Sequence, residues 1–242
     1  MQELEFPEQV TVTDQVIDCT EMSGEKKAFV VDFTQRMLRA FSESGKERVC
    51  YGVAGPSGSG KSFLSVLTKE LGKQLEPTVD IVPISIDAFH YPNTYLESTF
   101  KDGKSLKEVK GRYDTYDVEA LVTSLEEYRH GARVQFPEYS RKLHEPVANS
   151  ISVSEQPTVL LLEGLWLLRP EGGWGNVRPL LDKAFFIEDD AEESRTRTLG
   201  RHIAGGRSTD DAERYYDESD TKNRESVLMT KSAADELLTW PK

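Results

Sequence analysis

Hydrophobic positions along the chain form two alternating kinds of pattern. Uninterrupted apolar runs, typical of strands buried on both faces, occur at residues 49–54, 79–86, 158–162 and, more weakly, 183–187. Apolar residues at helical spacing occur between these runs, at residues 24–41, 61–75, 118–129, 190–203 and 209–216. The alternation predicts an α/β fold in which a mostly parallel sheet is covered by helices.

Two segments are harder to assign to a buried strand or a helix. Pro83 interrupts the run 79–86, which is awkward for a central strand because proline donates no ladder hydrogen bond. The first 24 residues carry short apolar pairs between acidic and turn residues, and they could form either a small hairpin or an ordered arm.

Composition narrows the class of protein. The chain has 242 residues and a formal charge of -12, which argues against general affinity for nucleic acid or an anionic membrane. Its two cysteines, Cys19 and Cys50, form neither a metal pair nor a disulfide framework, so a reducing cytoplasm is the simplest setting. The acidic amino terminus and the short apolar runs predict no targeting or membrane-spanning segment.

A glycine-rich segment follows the run 49–54 and opens the helical stretch 61–75. It reads GPSGSGKS and satisfies G-x-x-x-x-G-K-[ST], the P-loop pattern, in the required strand-to-helix position. Backbone N–H groups would turn toward a phosphate, the lysine would reach the β and γ phosphates, and the serine hydroxyl would ligate Mg²⁺. The alternative is a flexible surface loop. The predicted nucleotide-binding residues are Gly55, Pro56, Ser57, Gly58, Ser59, Gly60, Lys61, Ser62 and Phe63.

The nucleotide is predicted to be ATP with Mg²⁺. A guanine-reading N/T-K-x-D motif is missing, since the nearest segment, 221–224, ends in arginine. No segment resembles the LSGGQ signature of transporter ATPases. These two absences disfavour a GTPase and a transporter ATPase.

Two acidic residues end predicted strands. Glu163 follows the run 158–162 and is predicted to approach Mg²⁺ together with Ser62, although it could instead cap the following loop. Asp87 ends the run 79–86 and is the candidate catalytic base for phosphoryl transfer to a hydroxyl, or else a turn former. His90 and Tyr91 follow it as candidates for substrate binding.

A basic cluster stands out in the acidic chain near residue 200. Arg197 and Arg201 are four residues apart and share one helix face, so they could clamp the transferring phosphate as a lid. Acids at the start of the same helix and bases at its end also match the helix dipole, which is the alternative reason for the pattern.

The order of these motifs resembles a known family. The segments GPSGSGKS, SIDAFHYPN, GRYDTYDVEAL, FPEYSRKLHEPV, VLLLEGLWLL and RTRTLGRHIAGGRS are similar to the P-loop kinase group of uridine kinase, phosphoribulokinase and bacterial type I pantothenate kinase. SIDAFHYPN most resembles the pantothenate kinase segment with the catalytic aspartate, and SVLMTKSA, residues 226–233, resembles that family's closing strand. GRYDTYDVEAL and GLWLL look like small sugar or nucleoside kinase-like proteins of the same group.

The resemblance implies roles for individual residues. It makes Asp87 the base, Lys61 and Ser62 the phosphate and Mg²⁺ residues, and Glu163 the acid near the metal. It also places Tyr139 and His144 where uridine kinases contact the nucleobase.

The chain departs from the uridine kinase pattern at two positions, since Ser140 and Arg141 replace Asp and Phe. Arg141 could bind a carboxylate or phosphate of the acceptor, or could be a solvated surface residue.

The segment 111–121 has two interpretations. Arg112, Tyr113 and Tyr116 could form a wall of the acceptor pocket. Alternatively, Asp117 is the N-cap of the next helix and Tyr116 is a hydrophobic contact of its first turn. For these two residues the structural interpretation is favoured.

The sequence therefore predicts a P-loop kinase of one domain, with an N-terminal arm and helix at 1–47 and the kinase domain at 48–238. It would transfer the γ phosphoryl of MgATP to a small-molecule hydroxyl, with pantothenate first, a sugar or polyol second and a nucleoside third as acceptor. The alternative is a nucleotide-dependent regulatory protein that hydrolyses ATP slowly. No nucleic acid or membrane partner is expected, and a homodimer is one option for assembly.

Overall fold

A five-stranded parallel sheet forms the centre of the computed structural model, which describes residues 4–241. The strands in these residues are β1 (Gln9–Val12), β2 (Gln15–Asp18), β3 (Arg48–Ala54), β4 (Asp80–Ser85), β5 (Phe100–Lys101), β6 (Lys104–Ser105), β7 (Gln135–Ser140), β8 (Glu145–Ser152), β9 (Thr158–Gly164), β10 (Lys183–Glu188) and β11 (Glu236–Thr239). The α-helices are α1 (Gly24–Ser44), α2 (Lys61–Leu75), α3 (Asn93–Ser98), α4 (Val118–Arg129), α5 (Ala191–Ala204), α6 (Thr209–Tyr215) and α7 (Thr221–Leu228). The predicted α/β fold is confirmed.

The strand order is β11-β10-β3-β9-β4, with every neighbouring pair parallel. The middle strands β3 and β9 are almost entirely buried, which explains their continuous apolar sequences. Pro83 lies in β4, at the edge of the sheet, where it pairs with Leu161. An edge strand tolerates proline because one of its sides has no ladder to complete.

Successive residues of the central strands point to opposite faces of the sheet. In β9, Val159 and Leu161 pack with α1 and α2, whereas Leu160 and Leu162 pack with α4 and the segment 166–181. Helix α1 begins after Ser23, whose side chain accepts a hydrogen bond from a first-turn amide, and ends at Gly45 with φ 64°. The result is a sheet buried between two helical layers.

Short antiparallel hairpins surround this core. Strands β1 and β2 form the hairpin that the amino-terminal pattern left open, and Val10 joins the core beneath α1 and α2. Strands β7 and β8 form a second hairpin beyond the edge of the sheet. None of the helices in residues 4–241 is long and apolar enough to cross a membrane.

One sequence prediction is wrong. Residues 226–233, expected to contain the closing strand, instead complete α7 and a following 3₁₀ turn, and the closing strand is β11. The reason is helical spacing, because Asn223 and Val227 are four residues apart and both are buried on one face of α7. Leu238 supplies the buried position of the true strand.

Candidate active site

The glycine-rich loop 55–60 joins the middle strand β3 to α2. Gly58 and Gly60 have φ values of 77° and 92°, a backbone conformation that favours glycine. A Cβ atom at Gly58 would lie 2.4 Å from the carbonyl oxygen of Ser194 in α5. Glycine is therefore required both for the turn of the loop and for the close approach of α5.

The helix after the loop begins without a side-chain cap. Gly60 gives the first-turn amides of α2 no side-chain hydrogen bond, so these N–H groups are available to an anion. Lys61 is buried, and its ammonium donates to the carbonyl oxygen of Pro56 at 2.7 Å. Burial lowers the pKa of Lys61, while the charge of Glu163 opposes that shift. A buried cation beside free helix amides fits a phosphate group.

A hydroxyl and a carboxylate meet beside this loop. The Ser62 Oγ donates to Oε1 of Glu163 at 2.8 Å, and Glu163 is only 6% exposed. The strand register places Glu163 level with Val53 of β3 and Ser85 of β4. Carboxylate and hydroxyl oxygens are the ligands that Mg²⁺ prefers, so these two side chains fit a magnesium ion.

Asp87 lies just past the carboxyl end of β4, in a 3₁₀ turn formed by Ile86–Phe89. The side chain of Ser85 caps this turn by accepting from the Asp87 N–H at 3.3 Å. The Asp87 carboxylate is therefore not needed as a turn former, and it instead accepts from the hydroxyl of Tyr116 at 3.3 Å.

Charges around Asp87 keep it ionised. Burial by itself raises the pKa of the Asp87 carboxyl, but the charge that His90 carries when protonated in acid, together with those of Arg141 and Arg201, more than offsets this, so the pKa lies below its ordinary value. At pH 7 the arginines supply the positive charge. A largely buried carboxylate that stays charged can orient a hydroxyl and accept its proton.

The His90 ring presents a free hydrogen-bond acceptor next to this carboxylate. Its Nδ1 lies 2.9 Å from the carbonyl oxygen of Asp87, which can only accept, so Nδ1 carries the proton and Nε2 is bare. Burial lowers the pKa of His90 to about 4, and the ring is neutral at pH 7. Nε2 is buried without a hydrogen-bond partner among residues 4–241. The ring lies between Tyr116 and Tyr139, with centroid distances of 3.9 and 5.7 Å.

Helix α5 lies against the glycine-rich loop and carries both predicted lid arginines. Arg201 is largely buried and donates to the Ser57 hydroxyl. Arg197 is 46% exposed, pairs with Glu193 and donates to the Gly58 carbonyl at 3.1 Å. Acidic residues in the first turn of α5 and basic ones in its last turn also suit the helix dipole. Of the two arginines, Arg201 is the better placed to meet a phosphate.

Two cavities meet at Ser62. One, of about 660 Å³, lies between the glycine-rich loop, α5 and residues 239–241, and Arg141 and Trp240 are among its walls. The other, of about 490 Å³, lies beneath the β1–β2 hairpin and is lined by Glu163 and Tyr139. Both volumes are within the range of small-molecule sites. A nucleotide in the first cavity and an acceptor near the second would meet at Ser62.

The structure brings most of the predicted acceptor residues together, but not all. Tyr139 lines the second cavity, and Arg141 is near enough to lower the pKa of Asp87. The carbonyl oxygen of His144 accepts from the Lys110 ammonium at 2.6 Å, which ties the β7–β8 hairpin to the residues before α4.

The side chains of Tyr91 and Tyr113 make their contacts elsewhere. Tyr91 packs on Tyr95, with ring centroids 4.5 Å apart. Tyr113 packs against Trp166, and Arg169 lies 4.0 Å above its ring. Within residues 4–241, neither side chain forms a hydrogen bond or a ring contact with Asp87 or His90.

The sequence did not identify Lys110 or Trp240 as site residues, and for Tyr116 it favoured a structural role over a place in the acceptor pocket. The Tyr116 ring packs on His90 and Trp174 rather than serving only the helix that follows, whereas Asp117 caps α4 as predicted. Lys110 and Trp240 carry no sequence signal of their own. Trp240 donates from Nε1 to the Ser59 carbonyl at 3.0 Å, from beyond the end of β11.

A parallel sheet with a P-loop after its middle strand and carboxylates at the same edge defines the P-loop NTPase fold. Residues 50–237 match the Phosphoribulokinase / Uridine kinase family. The chain belongs to this family. It is therefore a small-molecule kinase, and membership implies that it uses a nucleotide.

Individual relatives agree with this assignment. The chain is 32% identical to the uncharacterized protein YggC of Escherichia coli K12 over 183 residues, 76% of this chain and 74% of that one. It is 33% identical to the pantothenate kinase of Leifsonia xyli over 151 residues, 61% of this chain but only 44% of the relative. The solved structure of a "putative fructose transport system kinase" from Silicibacter sp. TM1040 has a TM-score of 0.74 at 26% identity, covering 88% of this chain and 98% of that one.

Proposed function

We propose that the chain transfers the γ phosphoryl group of MgATP to a hydroxyl group of a small metabolite, with Asp87 as the base. The observation that carries the proposal is the position of the Asp87 carboxylate. It is largely buried, held ionised by neighbouring cations, and at the same sheet edge as the P-loop and Glu163. Transfer to an acceptor hydroxyl needs a carboxylate at that place, to orient the hydroxyl and to accept its proton.

Each residue of the site has a separate role in the proposed reaction. Lys61 and the loop amides hold the phosphates, and Arg201 adds positive charge from the other side. Ser62 and Glu163 would hold Mg²⁺, which when bound neutralises charge on the phosphate oxygens. Tyr116 orients the Asp87 carboxylate.

Phosphoryl transfer needs no reactant besides MgATP and the acceptor. The acceptor oxygen forms a bond to the γ phosphorus, and the bond from that phosphorus to the β–γ bridging oxygen breaks. The hydroxyl proton passes to Asp87, and ADP leaves.

The test is ADP release by the purified protein with MgATP, measured with pantothenate, sugars, polyols, glycerate and nucleosides. One acceptor should raise turnover well above the rate without acceptor, and Asp87→Asn should lower that rate about 100-fold or more. Binding of MgADP should be retained in the variant. Asp80→Asn, at the opposite end of β4, is the matched control and should keep the wild-type rate.

Two results would count against the proposal. A turnover that is equal in Asp87→Asn and the wild type would remove Asp87 from the reaction. A slow hydrolysis of ATP that no acceptor accelerates would favour a nucleotide-dependent regulatory protein instead.

A further inference from the structure

Two cations beside the candidate acceptor site lack a carboxylate partner. The Arg141 side chain makes no hydrogen bond or ion pair with any residue in the range 4–241, although its own backbone N–H donates to Asp14 at 2.9 Å. A guanidinium has five N–H donors, and here all of them are left for solvent or a ligand. Arg141 lines the first cavity, where the nucleotide is expected, and its charge also acts on Asp87, the candidate base on the acceptor side.

Lys110 is the second cation, and it is half-buried. Its ammonium donates to Oδ1 of Asn93 at 3.0 Å and to the carbonyl oxygen of His144 at 2.6 Å. Both partners are neutral, and no carboxylate in the described chain forms an ion pair with it. Burial, followed by the charge of Lys107, lowers the pKa of Lys110 to about 8, so it is still mostly protonated at pH 7.

Both cations interact electrostatically with Asp87 without forming an ion pair with it. Arg141 lowers the pKa of Asp87, and Asp87 in turn raises that of Lys110, yet neither cation forms an ion pair with it. Both positive charges therefore influence the base without being neutralised by it. The Lys110 ammonium also lies 5.2 Å from the ring centroid of Tyr139, the aromatic wall of the second cavity.

His90 adds an independent observation. Its bare Nε2 is buried without a partner in the described chain, and an unsatisfied buried acceptor costs free energy unless a ligand supplies a donor. An acceptor hydroxyl supplies such a donor.

We propose that the phosphoryl acceptor is a small hydroxylated anion, whose carboxylate or phosphate group is bound by Lys110 and Arg141 while one of its hydroxyl groups donates to His90 Nε2. This inference rests on the proposed kinase function and specifies its substrate class. The planar fork of Arg141 suits either anion, and the ammonium of Lys110 adds a point charge.

The test compares related acceptors with and without an anionic group. ADP release is measured with glycerol, glycerate and glycerol 3-phosphate, and with pantothenol and pantothenate. At least one anionic member should exceed its neutral counterpart about tenfold or more in kcat/KM, and the carboxylate and phosphate arms show which anion fits. Lys110→Met and Arg141→Gln should each raise KM for that acceptor about 10- to 100-fold, the loss of a charged hydrogen bond, and leave KM for ATP unchanged.

Matched controls separate specific binding from general charge. Lys107→Met and Lys142→Gln each remove one positive charge next to the tested residues, and both should leave the acceptor KM within about twofold of wild type, as expected for solvent-screened charges. Neutral acceptors that react as well as the anions, or unchanged KM in Lys110→Met and Arg141→Gln, would overturn the proposal.

A second measurement does not need turnover. The protein is saturated with a non-hydrolysable MgATP analogue, so that its P-loop is occupied, and the Tm is followed as each compound is added. Stabilisation by the anions in the wild type but not in the Lys110→Met, Arg141→Gln double variant supports the anion site even if no acceptor is phosphorylated, in which case only the kinase proposal fails. No stabilisation and no turnover with any of the anions contradicts the anion site.

Discussion

At the scale of residues, the buried side chain of His90 determines which hydrogen-bonding groups and charges lie beside the Asp87 carboxylate. Its Nδ1 proton is committed to the Asp87 carbonyl, its ring is stacked on Tyr116, and its pKa is lowered to about 4, chiefly by burial. Because the ring is neutral at pH 7, it offers an acceptor and no positive charge beside the carboxylate. The carboxylate of Asp87 is then balanced by Arg141 and Arg201.

The same residue makes stability depend on pH. In the unfolded chain His90 takes up a proton as pH falls through 6.5, whereas in the folded chain it does so only near 4. Its stabilising contribution is therefore present above pH 6.5 and is lost as pH falls toward 4, by about 1 kcal/mol for each pH unit. Urea unfolding at pH 7, 6 and 5 should show a smaller loss of unfolding free energy in His90→Gln than in the wild type. The exposed His130→Gln serves as the control, and parallel curves for His90→Gln and wild type would contradict the prediction.

At the scale of elements, the amino-terminal hairpin holds the turn between β7 and β8. Thr13 and Asp14 at its tip have φ values of 45° and 63°, the two-residue turn that matches the twist of paired strands. Oδ2 of Asp14 accepts from the backbone N–H of Arg141 at 2.9 Å and from the hydroxyl of Ser140 at 3.3 Å. A hairpin outside the matched family region 50–237 thus positions a residue of the candidate acceptor site.

Removal of this carboxylate should loosen the Arg141 turn. Asp14→Gly keeps the left-handed backbone conformation but removes the hydrogen-bond acceptor, and we expect KM for the acceptor to rise about 3- to 10-fold while KM for ATP stays the same. Asp14→Asn retains one side-chain oxygen and should restore most of the affinity. Equal KM values in the three proteins would show that the hairpin does not position Arg141.

At the scale of the whole molecule, helix α1 and the residue that follows β11 meet beside the P-loop. Trp240 bonds to the loop carbonyl of Ser59, and its ring centroid lies 4.9 Å from Phe29 of α1 and 6.1 Å from Phe63 of α2. A side chain after the last strand therefore connects the first helix to the nucleotide loop.

Trp240 should report nucleotide binding. MgADP is expected to change the tryptophan emission of the wild type, because Trp240 lines the cavity next to the loop. At 100 times its Kd, MgADP should also stabilise the fold by about 2.7 kcal/mol, measured as a rise in Tm. Trp240→Phe should lose the emission change and keep the stabilisation. If the variant keeps the emission change, the signal comes from elsewhere in the molecule.

The sequence by itself determined those helices, strands and motifs that are encoded by residues close together along the chain. The apolar runs that became β3 and β9 are buried on both faces, and the P-loop pattern requires specific residues at fixed spacing. Helical spacing likewise predicted α1, α2, α4 and α5, and capping preference predicted Asp117. Strands β7 and β8 were not predicted because their partly exposed residues, over Gln135–Ser140 and Glu145–Ser152, form no continuous apolar run.

Only the tertiary structure decided which distant residues meet. The order of strands in the sheet brings Glu163 between β3 and β4, and it makes the strand with Pro83 an edge. Asp14 and Arg141 are 127 positions apart, and Ser59 and Trp240 are 181 apart, so no local pattern records either contact. Spacing along the chain fixes helices and strands because their hydrogen bonds and buried faces repeat locally. The site around Asp87 depends instead on how those elements pack, which no single segment contains.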